Sequence, residues 1–406
     1  MTIAALTGIY LLRRPTQVSH PYVWVEESTV LQNFLNHGWL AAFIPVHGYL
    51  VLPASPLIVL SAAISWVDLP RLDWTFDVLL FVATVAMLLL PASRWGPFWI
   101  RAAMATSLVL VPAGPEIFGV LLLSFWWASL WPLIVLGWKS NLWPLRGPIL
   151  AIAALSSPAG GAFALLFVLV YVLERRRRDL VSAAILGVGF VVEVVLVQVT
   201  GREVGSFSKL LATPILNPAH YEAPWLAGSP VIAIAALLAL LLVAGSVATW
   251  RLGRHESTLL LMSAALYSAA AGAAVPGRLN LAARHVILAG RYMFLPFVAL
   301  AWLLISFAQS APRFQRLRVP ILAGACVLLA VPMINLPVNF APQYPSAARH
   351  LNWARELTLC AQRKLPGNWV PVYSDGYLPR RWHVAFSPTQ CATYVGIRSD
   401  SDLDST

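Results

Sequence analysis

The sequence predicts an all-α polytopic membrane protein with about eleven transmembrane helices. The chain is 59% hydrophobic and only 11% charged, whereas a soluble domain carries roughly 25% charged residues. Its mean hydropathy is +0.73, and several apolar runs, such as 231–250, exceed the ~18 residues that indicate a spanning helix. Because the bilayer core cannot hydrogen-bond an exposed backbone, helices are the expected spanning elements.

Basic loops set the predicted orientation. The formal net charge is +11, and the basic residues cluster at the ends of apolar runs, which indicates membrane topology and not nucleic-acid binding. The run Arg175–Arg178 is the strongest cytoplasmic marker. The apolar pattern after it places the C-terminal tail, residues 337–406, on the periplasmic or extracellular side. The helices that lead there are predicted at about 180–199, 229–250, 257–275, 291–309 and 319–336.

The orientation of the N-terminal half follows from the same alternation of cytoplasmic and outer loops, traced backwards from Arg175–Arg178. This alternation puts the N-terminus in the cytoplasm. Arg94, Arg101 and residues 137–141 mark two further cytoplasmic loops. A turn at Ser156–Gly160 interrupts the apolar segment ahead of Arg175–Arg178. The helices predicted from this pattern lie at about 77–92, 102–114 and 117–137, with a broken pair over 146–178.

Residues 14–76 are therefore predicted to form one long outer loop. Its segment 48–67 is apolar enough for a span, but parity and its two prolines favour an interfacial or re-entrant element. The first helix is expected in Met1–Leu12, which is shorter than the ~20 residues of a full span. Arg13 and Arg14 follow this run, whereas the basic residues of a cleavable signal would precede it.

Two domains are predicted. Residues 1–336 form the transmembrane domain, and 337–406 form a small outer tail domain. Cys360 and Cys391 lie in this tail, where an oxidising compartment would allow a disulfide between them. The tail also carries aromatic residues that can stack on sugars, although packing in a small core is the favoured interpretation: Trp353, Trp369, Tyr373, Tyr377 and Trp382.

Two adjacent carboxylates, Glu26 and Glu27, stand out because the chain has only 17 acidic residues in 406. An acid at a helix N-terminus favours the helix dipole, and that role accounts for one of them. A carboxyl beside apolar and aromatic surface has its pKa raised and can act as a general base. We therefore predict that one of the pair is catalytic.

Two further acids lie in apolar sequence. Glu116 is either a functional intramembrane group or part of a short loop at the membrane surface. Glu193 lies within a predicted span, where it either pairs with an arginine of a neighbouring helix or contributes to a substrate site.

The predicted outer loop 276–290 is unusually basic for its side of the membrane. Arg278, Arg284, His285 and Arg291 lie in or beside it, and the planar guanidinium of arginine matches phosphate geometry. Local acids and lipid headgroups are the alternative partners. The sequence contains no metal-ligand cluster, nucleotide-binding glycine loop or nucleophile elbow.

Four short motifs are spread over nearly the whole chain. They are Trp24-Val25-Glu26-Glu27-Ser28 followed by Gly48-Tyr49-Leu50; Pro112–Ile117 ahead of Trp126; Ser156-Ser157-Pro158 ahead of Arg175–Arg178; and Arg291-Tyr292 with Phe294 and Pro296. In these motifs the chain resembles the type-C (GT-C) glycosyltransferase superfamily, in a largely uncharacterised bacterial branch.

The resemblance implies a GT-C fold and a polyprenyl-phosphate-linked sugar as donor. Transfer would go to a cell-surface glycan or lipid acceptor on the outer face of the bacterial plasma membrane. Glu26 or Glu27 would be the base, and Glu27 is slightly favoured because it stands at the branch's Asp position. No cofactor is implied, and a divalent metal stays an open alternative. The residues that the resemblance and the local pattern assign to substrate binding are Glu116, Arg284, His285, Arg291, Tyr292 and Tyr49.

The chain departs from the branch in four respects. Glu27 stands where the branch usually has Asp, and Ser28 stands where it has Gly. The Arg that usually follows Gly48-Tyr49-Leu50 is missing. Apolar residues in 121–125 replace polar residues that often precede the tryptophan of that motif. These departures bear on the identity of the substrate and on activity itself.

A lipid or sugar transporter, or a flippase, is the alternative function. It would use Glu116 and Glu193 as part of a proton or substrate path. Internal repeats are typical of such transporters, and the sequence contains no clear repeat.

Overall fold

The protein is mostly helical. The computed structural model describes residues 2–90, 93–111, 117–139, 143–200, 255–274, 286–310, 352–365, 367, 369–372 and 383–396. The helices predicted at 229–250 and 319–336 lie outside the described residues, as do Arg278 and most of the predicted outer loop 276–290.

The N-terminal half contains seven α-helices and two 3₁₀ turns within the described residues. Their bounds are α1 Thr2–Arg13, α2 Pro15–Ser19, α3 Glu27–His37, a 3₁₀ helix Gly38–Phe43, α4 Ala54–Ile64, α5 Leu69–Leu89, α6 Phe98–Leu110, a 3₁₀ turn Leu121–Ser124 and α7 Phe125–Leu136.

The remaining described elements continue the helical pattern and end in a small mixed unit. Their bounds are α8 Trp143–Ala154, α9 Pro158–Gly161, α10 Ala164–Glu174, α11 Arg177–Val199, α12 His255–Ala274, α13 Val286–Ser310, α14 Trp353–Ala361, β1 Trp369–Pro371, β2 His383–Ala385 and α15 Pro388–Val395.

Two of the described helices, α5 and α11, are long and apolar enough to cross a membrane. Helix α5 begins at Leu69 and not near residue 77, because Pro70 fits the first turn of a helix. Helix α6 ends at Leu110, short of the predicted 114, since Val111 is extended ahead of Pro112. The predicted helix 117–137 is a 3₁₀ turn followed by the shorter α7.

The segment 48–67 contains only one short helix, α4. Its 11 residues measure about 16 Å at 1.5 Å per residue, roughly half the thickness of a bilayer core. The chain ahead of it is held to other helices by backbone hydrogen bonds. The Leu50 N–H donates to Oε1 of Glu193 at 3.3 Å, and the Leu52 N–H donates to the Leu155 carbonyl at 3.4 Å.

The interruption predicted at 156–160 lies between α8 and α10, where the chain forms the short helix α9. Glycines allow the close packing here. A Cβ on Gly160 would lie 2.2 Å from the Ala153 carbonyl oxygen, and one on Gly189 would lie 2.4 Å from the Cβ of Ala154. Any larger residue would therefore push α8, α9 and α11 apart.

The three loops predicted as cytoplasmic meet at one end of the helices. Arg94, which follows α5, forms an ion pair with Glu174 at 3.1 Å, and Arg176 pairs with the same carboxylate at 2.8 Å. Arg178 donates to the backbone carbonyl of Lys139 at 3.4 Å. The basic run at the start of α11 therefore lies beside the loops that follow α5 and α7.

The C-terminal tail and the predicted outer loop share a hydrophobic core. The ring of Trp66 stacks on Tyr394 with centroids 4.8 Å apart and meets Phe386 edge-on at 5.2 Å. The indole N–H of Trp353 donates to the Trp66 carbonyl at 2.6 Å. Gln32 of α3 accepts the Ala385 N–H at 3.0 Å, so the tail is packed directly on the loop.

The tail itself is tied together by covalent and hydrogen bonds. Cys360 of α14 and Cys391 of α15 form a disulfide. Strands β1 and β2 pair antiparallel with Val370 opposite Val384. Trp353 is buried, whereas Trp369 is 47% exposed and stacks on His383 at 4.2 Å. Tyr373, Tyr377 and Trp382 lie outside the described residues.

We expect Trp66→Ala to destabilise the joint between loop and tail. The variant removes a buried ring that contacts both, and such truncations cost about 3–5 kcal/mol. Limited proteolysis of the purified protein should release the tail faster than in the wild type. Trp369→Ala is the matched control because its ring is half exposed; equal proteolysis rates in both variants would contradict the shared core.

Candidate functional site

Glu27 joins the first loop to the segment ahead of α7. It is the first residue of α3 and is only 2% exposed. Its Oε2 accepts the Trp24 N–H at 2.7 Å, and its Oε1 accepts the Leu122 N–H at 3.3 Å. Both carboxylate oxygens are thus engaged by backbone donors, one local and one 95 residues away.

Glu26, the adjacent acid, has a different environment. It is half-buried, and its Oε2 accepts the indole N–H of Trp24 at 2.5 Å. Trp24 itself is buried, so its ring orients Glu26 while its backbone orients Glu27. The tight turn from Trp24 to Glu27, closed by a 3.0 Å backbone bond, therefore presents the two neighbouring carboxylates to different surroundings.

Burial raises the pKa of Glu27 from its ordinary value of 4.5 to about 7. The backbone N–H groups of Trp24 and Leu122 act in the opposite direction, and the negative charges of Asp77 and Glu26 add to the increase. A carboxyl with this pKa is partly ionised at neutral pH. Such a group is suited to accept a proton in a reaction and to release it afterwards.

Two acids of α5 belong to the same site, and the sequence analysis missed both. Asp77 is fully buried, and its Oδ2 accepts the Gly119 N–H at 2.7 Å and the hydroxyl hydrogen of Tyr10. Asp73 lies one helical turn earlier and is also buried, close enough to Glu27 for their charges to interact. Their i, i+4 spacing is the signal that could have identified them.

Gly119 is held on both sides of its peptide group. Its carbonyl accepts the side-chain amide of Gln17 at 2.9 Å, opposite the bond from its N–H to Asp77. Its φ is +84°, and a Cβ would lie 3.3 Å from Gln17, so glycine is required for this approach. Together with the bond from Leu122 to Glu27, these contacts fix the main chain from Gly119 to Leu122.

Arg13 and Arg14 fold inward at the end of α1. Arg13 donates to the Val109 carbonyl at 3.2 Å and lies 4.3 Å from the ring centroid of Phe118. Arg14 donates to the hydroxyl of Tyr22 and lies 5.0 Å from the ring of Trp24. Arg14 thus brings positive charge to the loop that carries Glu26 and Glu27, a role that the sequence alone did not indicate.

Among the described residues, the partner of Glu193 is a backbone N–H and not the arginine that the sequence suggested as one of two possibilities. Its Oε1 accepts the Leu50 N–H, because the irregular segment at 48–52 leaves that donor without a helical partner. Tyr49 is half-buried, and its main chain exchanges two hydrogen bonds with Val46, at 3.0 and 2.7 Å. Tyr49 thus belongs to a tight turn beside Glu193.

The other predicted substrate-binding residues are described only in part. Glu116, Arg284 and His285 lie outside the described residues. Arg291 and Tyr292 belong to α13, and their side chains also lie outside the description. Among the described residues, no group of three or more His, Cys, Asp and Glu side chains is arranged to hold a metal ion.

No protein-family model matches the chain. No curated protein and no solved structure matches it either. The function proposed below therefore depends on the sequence motifs and on the geometry of the described residues.

We expect Asp77→Ala to destabilise the protein because it leaves the buried hydroxyl of Tyr10 without its acceptor and removes one of two acceptors from Gly119. The loss should be about 1–3 kcal/mol, seen as a lower midpoint of thermal unfolding in detergent. Asp77→Asn, which keeps one acceptor oxygen, should lose less.

Asp68→Ala is the control, since its pair with Arg71 is exposed and such pairs contribute under about 1 kcal/mol. An equal shift for Asp68→Ala would contradict this role.

The raised pKa of Glu27 predicts a pH-dependent stability. Between pH 4.5 and about 7, the folded protein holds a proton on Glu27 that the unfolded chain has released. The stability that Glu27 contributes is therefore fully present below pH 4.5 and is lost as the pH rises through about 7. Unfolding midpoints measured across this range should fall less steeply for Glu27→Gln than for the wild type. Glu256→Gln, at an exposed position of α12, should keep the wild-type slope; an unchanged slope for Glu27→Gln would argue against the shift.

Proposed function

We propose that the protein is a membrane glycosyltransferase. It moves a sugar from a polyprenyl-phosphate donor to a cell-surface glycan or lipid acceptor on the outer face of the bacterial plasma membrane. The observation that carries the proposal is the pair Glu26–Glu27, in which a buried carboxyl with a pKa of about 7 lies next to a half-buried one. The motif resemblance to GT-C enzymes supplies the substrate class.

A membrane location is supported by α5 and α11, which have the length and apolar composition of spanning helices. The full proposal has about eleven crossings, a cytoplasmic N-terminus and an outer C-terminus. The ion pairs that gather Arg94, Glu174 and Arg176 support a common cytoplasmic end. The disulfide between Cys360 and Cys391 is compatible with an oxidising compartment for the tail.

The proposed reaction needs one base and one stabilised leaving group. The acceptor hydroxyl oxygen forms a bond to the anomeric carbon of the sugar, and its proton passes to the glutamate carboxylate. The bond between that carbon and the phosphate oxygen breaks, and polyprenyl phosphate leaves with the electron pair. Arg284 and Arg291, with His285 and Tyr292 nearby in sequence, are proposed to bind the phosphate, since guanidinium groups match its geometry. No nucleotide is needed, because the donor's activating group is the lipid phosphate.

The two glutamates differ in their suitability as the base. Glu27 has the raised pKa but is 2% exposed. Glu26 is half-buried and is oriented by the Trp24 indole. We assign the base to Glu27, at the branch's Asp position, with Glu26 on the solvent side of it. Separate substitutions distinguish this assignment from the reverse.

A lipid or sugar transporter is the second candidate, and one observation favours it. Glu193 is fully buried in α11, and its Oε2 has no hydrogen-bond partner within the described residues. An intramembrane acid of this kind is typical of proton or substrate paths. Its other oxygen holds the Leu50 N–H, which gives the same residue a structural reason to be there.

We expect Glu27→Gln to reduce sugar transfer by about 10²–10⁴-fold, because glutamine cannot accept the proton. The assay would use membranes that contain the protein and are supplied with a polyprenyl-phosphate sugar. Glu26→Gln should lose less activity than Glu27→Gln, and Glu256→Gln, on the exposed start of α12, should keep wild-type activity.

Three outcomes would revise the proposal. Full transfer by both the Glu26→Gln and Glu27→Gln variants would remove the pair from catalysis. A larger loss for Glu26→Gln would move the base to Glu26. Movement of the lipid-linked sugar across sealed vesicles by the wild type, without transfer to an acceptor, would favour the transporter.

A further inference from the structure

Four large apolar side chains are exposed on two elements that pack against each other in the loop that follows Glu27. Trp39, Leu40 and Phe43 of the 3₁₀ helix are 60%, 71% and 63% exposed, and Ile64 at the end of α4 is 59% exposed. We call these four residues the loop apolar surface. The chain from Gly38 to Trp66 contains no Asp, Glu, Lys or Arg, and His47 is its one exposed polar side chain.

These residues are exposed although the loop that carries them is well packed. The same two elements bury their other faces: Ala41 and Ala42 in the 3₁₀ helix, and Ile58, Val59 and Ala62 in α4. The buried face of the 3₁₀ helix thus carries small side chains, and its exposed face carries large ones. Single exposed apolar residues are ordinary, but three large ones within six residues form a patch that requires a partner.

The position of this loop relative to α11 identifies the partner. Seven residues after Phe43, the Leu50 N–H donates to Glu193 of α11 at 3.3 Å. On either side of Glu193, Val191 and Val195 are 59% and 49% exposed. The loop is therefore tied to a spanning-length helix at a level where that helix presents apolar side chains outward.

Polar residues mark where the apolar surface ends. Asp68 and Arg71 follow Ile64 at the start of α5, and their side chains are 55% and 76% exposed. The change from exposed Ile64 to exposed charges within a few residues is the pattern of a membrane–water boundary. Tryptophan is enriched at that boundary, where its ring lies at headgroup level.

We infer that the loop apolar surface is inserted into the outer leaflet of the bilayer. Trp39 lies among the lipid headgroups, and Leu40, Phe43 and Ile64 reach the adjoining acyl carbons, about 5–10 Å into the interface. The occupant is lipid and not a protein. Four side chains cover on the order of a few hundred Å², whereas a stable protein partner buries roughly 800 Å² on each side.

This insertion would fix the depth of the proposed catalytic loop. Helix α3 starts at Glu27 and continues directly into the 3₁₀ helix that carries Trp39. Anchoring one end of α3 in lipid holds the glutamates at a set height above the bilayer, where a lipid-phosphate group would lie. The inference rests on the proposed membrane location and not on sugar transfer.

A depth measurement in nanodiscs tests it. In the full chain with Cys326→Ser, single variants Phe43→Cys, Asn36→Cys and Val188→Cys are labelled with bimane and exposed to a shallow doxyl lipid, a deep doxyl lipid or aqueous iodide. Asn36 is an exposed polar position on α3, and Val188 is 67% exposed on α11. We expect several-fold stronger quenching by the shallow doxyl lipid than by iodide at position 43, and the reverse at position 36.

The outcomes separate the two proposals. Iodide quenching at position 43 equal to that at 36 would overturn the insertion, and protection of position 43 from every quencher would replace the lipid with a protein partner. Quenching of position 188 by the deep doxyl lipid supports the membrane location independently. Accessibility of position 188 to iodide would overturn the membrane location itself, and the insertion with it.

Discussion

Buried carboxylates that bind backbone N–H groups organise the whole candidate site. Glu27 and Asp77 together hold Leu122 and Gly119. The loop that carries Glu27 and the helix α5 are joined in this way to the segment ahead of α7. A buried carboxylate is costly without donors, and a buried N–H is costly without an acceptor. Each therefore satisfies the other's requirement.

The same arrangement explains why two adjacent glutamates have different properties. Burial raises the proton affinity of Glu27, although both of its oxygens accept backbone N–H groups, which act in the opposite direction. Glu26 is held by one indole and is half-buried. A turn of four residues, with Trp24 at its start, is enough to separate a buried carboxyl that binds main chain from a half-buried one.

The sequence predicted the helical class, the helix α11 and the break before α10, because these depend on apolar periodicity and on glycine and proline within short windows. It missed Asp73 and Asp77, because parity assigned residues up to 76 to a loop and hid the acids' helical spacing. It suggested an arginine of a neighbouring helix as one possible partner of Glu193, whereas the partner among the described residues is the Leu50 N–H. An unpaired N–H in an irregular segment leaves no signature in residue type, so contacts of this kind cannot be predicted from sequence alone.

The long sequence separation of these contacts also constrains how the chain is assembled. Leu50 leaves the ribosome 143 residues before its partner Glu193, which is a delay of roughly 7–30 s at ordinary rates of synthesis. Gln32 is synthesised 353 residues before Ala385, whose N–H it accepts. The loop that carries Glu26 and Glu27 is therefore among the first parts of the protein to be made and the last to be completed. A chain that stops before its tail would lack the contacts that complete this loop.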